Sequence, residues 1–191
     1  LDFNAGGSNA GSTFAVSTGP SSPAVTLDMD GDDGNLLQAA GDLELDVFGF
    51  VTLDGSFAFK KSNGSFERND GVSITGDYLT VGANIPTATV SAGGVGLSLT
   101  GIDLGMLLVS YDGGTPGTLP ADTADDTSYT VIKAKVGGAS IFGIDGLTLT
   151  VSDFYLEINQ AKDVTTGAAF GSVLDFNAGG SNAGSTFAVS T

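Results

Sequence analysis

Cysteine, histidine and tryptophan are absent from this 191-residue chain, and basic residues are scarce, with 6 Lys and Arg against 22 Asp and Glu. Without Cys, disulfides, thiol catalysis and Cys-type zinc sites are excluded. Without His, the commonest general base, the usual catalytic triads and most transition-metal sites go as well. The formal net charge of −16 argues against nucleic acid, because phosphate contacts need clustered cations. The six here are Lys60, Lys61, Arg68, Lys133, Lys135 and Lys162. Anionic membranes are disfavoured for the same reason. No membrane span is expected, since the densest apolar run, "MLLV" (106–109), is far short of the ~18 residues a spanning helix needs. Disorder is excluded despite the charge, because apolar residues recur with strict periodicity and the mean hydropathy is positive, at +0.22.

What is present includes a duplication. "LDFNAGGSNAGSTFAVST" occupies 1–18 and recurs without a difference at 174–191, a period of 173 residues. A Gly, Ser and Asn-rich turn tolerates many exchanges, so identity points to recent duplication. The chain reads as one complete repeat, 1–173, followed by the start of the next, 174–191. No charged leader with an apolar core precedes Leu1, so the segment is expected to be cut from a longer array. The competing explanation is an engineered duplication of a terminal strand, as in a circular permutant. A 173-residue period has the size of an independently folding domain, far above the ~20 to 50 residues of short solenoid repeats.

From Leu43 to Phe59 apolar residues hold the odd positions while Glu44 and Asp46 begin the even ones, the period-2 mark of a strand with one buried face. The pattern predicts one very long strand or one bent at Gly49 and Gly55. Phe48 and Phe50 interrupt the polar side. Asn63-Gly64 predicts a type I′ hairpin turn. The segments 96–109 and 146–159 align without gaps, and in each the apolar phase slips by one residue, which predicts β-bulges near Gly101 and Ser152. Further strands are expected at 13–17, 24–28, 72–75, 78–84, 87–91, 129–136 and 140–144, and "NLLQAAGDL" (35–43) is the best helix candidate. The fold class expected is all-β: an elongated, mainly antiparallel sheet, as a sandwich or a flattened β-roll or solenoid, with long bulged strands, forming one module of a tandem array.

The richest chemical cluster is "DMDGDDGN", with Asp28, Asp30, Asp32, Asp33 and Asn35. Hard cations need several oxygen ligands from a tight loop, and the alternate Asp residues fit the first half of a calcium loop. An EF-hand would need Gly where Asp33 stands and Glu where Ala39 stands, so the calcium reading is a looser loop completed by backbone carbonyls or Asp42. A solvated acidic turn is the other reading. "ADTADDTSY" adds Asp122, Asp125 and Asp126, as a second cation site, a contact between repeats or a surface loop. Glu44 and Asp46 form the best carboxylate pair, but they lie opposite the expected core with nothing to raise a pKa or enclose a substrate, so no enzyme is expected.

"LDVFGFVTLDGSFAF" and "GIDGLTLTVSDFYLEINQ" resemble repeat units of giant, acidic, tandem-repeat secreted bacterial proteins of the adhesin or surface-fibre kind. The resemblance implies an extracellular or cell-surface location and a calcium-stiffened stalk; the G-G-x-G-x-D signature of calcium rolls is absent, so those metal positions do not transfer. The expected function is structural: a module of an extracellular fibre, sheath or adhesin stalk, joined head to tail to identical repeats of the same chain, with lateral copies in a fibre as further partners. The alternatives are a ligand-binding adhesin module and a lipid-binding β-groove, the latter requiring a long exposed apolar face.

Overall fold

A computed structural model of the chain describes residues 14–31, 35–113 and 125–176. They are all-β and antiparallel, in two compact units, Leu1–Leu36 and Leu37–Thr191. In the first, β1 (Phe14–Val16) pairs with β2 (Val25–Leu27). In the second, β3 (Leu37–Val47), β4 (Val51–Glu67), β5 (Ser73–Ala92), β6 (Val95–Tyr111), β7 (Thr127–Phe142) and β8 (Thr150–Asp163) form a six-stranded sheet in chain order. It is an open meander. Among the described residues of this unit, neither the second layer of a sandwich nor the coil of a β-roll or solenoid is seen. The 20 residues of β5 span about 65 Å at ~3.3 Å per residue.

Several sequence expectations are corrected. The alternation from Leu43 to Phe59 is two strands, because the chain reverses at Phe48–Phe50, where Phe50 N–H donates to the Val47 carbonyl (2.8 Å) and Phe48 and Gly49 take positive φ of 51° and 72°. The phase survives the reversal because Val47 pairs with Val51 across three turn residues, which keeps odd positions on one side. Asn63 and Gly64 are not a turn. They lie inside β4 opposite Asp77 and Gly76, where Asn63 Nδ2 donates to Asp77 Oδ1 (3.1 Å). A Cβ on Gly64 would sit 3.0 Å from the Tyr78 ring, which instead packs edge-on against Phe66 at 5.6 Å. The helix candidate at 35–43 falls largely in edge strand β3, and the strands expected at 72–75, 78–84 and 87–91 are one continuous β5.

The expected slips of phase are present and lie in one line. Pairing runs on either side of Pro86, Gly101, Gly137 and Asp153, and these four residues stand opposite one another in β5 to β8 without pairing. Each strand from β5 to β8 carries an extra residue at the same level, so their mutual register is undisturbed. β3 and β4 carry none, and the ladder shifts only between β4 and β5, where Asp54 pairs with Thr87 but Ser56 with Asn84. Gly101 and Asp153 absorb the kink at positive φ, 59° and 53°, and Pro86, lacking an N–H, is tolerated there because no ladder bond is lost.

Matched insertions keep each face uniform along the whole sheet. Residues directly opposite share a face, so Ala39, Phe59, Val81, Met106, Ile132 and Ile158 form one row, and Gly41, Phe57, Ala83, Leu104, Ala134 and Leu156 the next on that side. Beyond the insertion line, Leu45, Leu53, Ala88, Leu99, Ala139 and Val151 continue it. This apolar face carries no charge along three rows. The opposite face carries Asp42, Asn84, Asp103, Lys135 and Tyr155 in one row and Glu44 facing Asp54 in another.

Gly55 marks the insertion on β4, since a Cβ there would meet the Asn84 carbonyl at 2.6 Å and Ile85 at 2.9 Å. Gly55→Val is expected to destabilise the chain by about 1–3 kcal/mol through overpacking. Gly41→Ala, in open space on an edge strand, should stabilise by about 0.5 kcal/mol. Urea unfolding midpoints check both.

Candidate functional site

The buried core sits at one end of the sheet, on the face opposite the apolar rows. Phe66, Ile74, Leu107, Val109, Tyr129, Ala161 and Leu174 form it, with Tyr78, Tyr111, Val131, Phe170 and Val173 packed against them. Three of these come from residues 164–176, a strap without regular structure that leaves the end of β8 and crosses the sheet to the end of β4. Asp163 starts it by accepting from Thr166 N–H (2.7 Å) and Thr166 hydroxyl (2.9 Å). Phe170 N–H then donates to the Ala161 carbonyl (2.9 Å). At the far side Asn69 N–H donates to the Val173 carbonyl (2.9 Å), Val173 N–H to Asn69 Oδ1 (3.1 Å), and Asp175 N–H to the Glu67 carbonyl (2.9 Å). Leu174 is 1% exposed, and its carbonyl accepts from Asn159 Nδ2 (2.7 Å).

A polar latch lies beside this joint. Arg68 grips Asp70 through Nη2 (2.6 Å) and Nε (3.1 Å) and stacks its guanidinium over Phe170 at 5.3 Å. Ser172 hydroxyl donates to Asp70 Oδ2 (2.7 Å). Arg68 and then Ser172 hold the Asp70 carboxyl down to about 2. Hydrogen bonds to its charged form from Arg68, Ser172 and Val72 N–H (3.2 Å) explain the direction.

The apolar face is the second feature. Within the unit Leu37–Thr191 no described residue covers it: Val90 and Phe154 are each 53% exposed, and Leu43, Leu45, Val151 and Leu156 are exposed too. Phe48, 93% exposed, and Phe50 stand at the β3–β4 turn. The other face holds a shallow open depression of about 490 Å³ floored by Gly82 and Gly105 and edged by Asn84, Asp103, Lys133 and Lys135. Its charges are largely paired, with Lys133 at 2.8 Å from Glu157, Lys135 at 3.8 Å from Asp153, and Asn84 donating to Asp103 at 2.6 Å.

Of the calcium candidates, Asp28 and Asp30 follow β2 and Asn35 precedes β3, while Asp32 and Asp33 lie outside the described residues, as does Asp122. Among the described residues no three acidic side chains are grouped to hold a metal ion. Asp125 and Asp126 lead into β7, and the Asp126 carbonyl accepts from Val164 N–H (3.0 Å) at the start of the strap. Asp46 has a local task, accepting from Gly49 N–H at 2.7 Å in the β3–β4 turn. Glu44 faces Asp54 across the strand pair. The strap was missed in the sequence because it lacks alternation; the one signal was that "LDF" repeats at 174–176. Comparison of the chain with protein-family models, curated proteins and solved structures finds no match.

Since the folded Asp70 carboxyl is depressed from 3.8 to about 2, its latch contributes stability above pH ~4 that is lost as pH falls toward 2. Asp70→Asn is expected to flatten the decline in melting temperature across that interval, and to cost stability at neutral pH. Melting curves from pH 6 to 2 compare the two chains.

Proposed function

We propose that this chain is a structural module of a tandem-repeat extracellular fibre, sheath or adhesin stalk, in which the opening residues of each repeat complete the core of the repeat before it. One observation carries the reading: Leu174, the first residue of the second copy of the 18-residue segment, is buried among Phe66, Ile74 and Tyr129. A domain boundary placed by sequence period at 173/174 thus falls inside a packed core. Neighbouring repeats joined in this way fold as coupled units, and interface energy adds to the stability of each. The net charge of −16 suits a long solvated polymer that resists collapse onto itself. In this reading calcium stiffens the turn bearing Asp28, Asp30, Asp32, Asp33 and Asn35.

Leu174→Ala is expected to destabilise by about 2–5 kcal/mol, the cost of emptying a well-packed leucine site. A chain ending at Val173 should melt at lower temperature, and the peptide LDFNAGGSNAGSTFAVST, added in excess, should restore part of the loss. Unchanged melting in the shortened chain would sink the coupling. Calcium is tested apart from it: chelation should lower the melting midpoint of the full chain, and an unmoved midpoint rejects the ion.

A further inference from the structure

We infer that the apolar face of the six-stranded sheet is an interface for a second copy of the same sheet, packed face to face. The inference stands on the face itself and holds whether or not the chain belongs to an array. Six strands spaced ~4.8 Å apart, over a stretch of about 10 residues of each, give roughly 950 Å² of surface. That is about twice the largest apolar patch a soluble monomer usually exposes, and it exceeds the ~800 Å² per partner of a stable protein–protein interface.

Charge selects the occupant. Two chains of net charge −16 repel each other on every surface that carries carboxylates, and Asp42, Glu44, Asp54 and Asp103 all lie on the other side. Only the charge-free face lets two copies approach without juxtaposing like charges. Toward the strapped end the same face turns polar, with Lys61 beside Leu79 and Asn63 beside Asp77, so the patch has an apolar centre and a polar margin, as interfaces do. An open face of six paired strands fits a second sheet better than acyl chains, since two such faces stack ~10 Å apart with side chains interdigitated.

The test is the oligomeric state of the full chain by sedimentation at micromolar concentration. A two-chain species is expected. Val90→Glu and Leu156→Glu change exposed residues on this face and should each weaken association by about tenfold or more, with far-UV circular dichroism showing that the sheet persists. Asp103→Asn, on the opposite face, should leave association unchanged, which separates loss of contact from loss of fold. A folded chain that sediments as a monomer overturns the inference. So does a monomer that floats with phosphatidylcholine vesicles and loses that binding on Leu156→Glu, since acyl chains would then be the occupant.

Discussion

Strict alternation of side chains along an antiparallel ladder is the constraint from which this structure follows. Once a face is assigned in one strand it is assigned in every neighbour, and one extra residue in any strand would turn its remaining side chains to the wrong side. The sheet meets the constraint by inserting Pro86, Gly101, Gly137 and Asp153 at one level. Four strands slip together, and the apolar rows pass through the kink unbroken. The misfit is concentrated at a single seam, β4 against β5, where Gly55 leaves room for it.

The same alternation divides the chemistry of the two faces. At the strapped end, aromatic and branched side chains lie on the face that residues 164–176 cover, and the reverse side carries Lys61, Asn63 and Asp77. Farther along, the polarity changes sides. Among the described residues, burial is concentrated where the strap lies. The rest depends on backbone pairing and on whatever meets the apolar rows.

Much of this was readable in the residues. Strands with one apolar face and the slips near Gly101 and Ser152 follow from period and phase alone. The turns were harder, because Asn-Gly is the stronger turn dipeptide and yet the chain turns at Phe48-Gly49. Asn63-Gly64 is held extended by a cross-strand amide and by Tyr78, which needs the space a side chain would fill. "NLLQAAGDL" was the best helix candidate, but Ala39, Gly41 and Leu43 lie on one face of β3, opposite Phe59, Phe57 and Gly55 of β4. Alternation also reports that a face is apolar without reporting what lies against it, so the sequence suggested a layered core where β3 to β8 form one open sheet. The acidic turn at Asp28–Asn35 offered ligand types without a geometry.

The strap has a mechanical consequence. Because it recrosses the sheet before its Leu174–Asp175 segment bonds to Glu67 and Asn159, tension on the chain beyond Phe176 does not peel β8 from its edge one bond at a time. The pull reaches β4 and β8 together, so on this side of the sheet rupture requires the buried Leu174 anchor to slip before β8 can unzip.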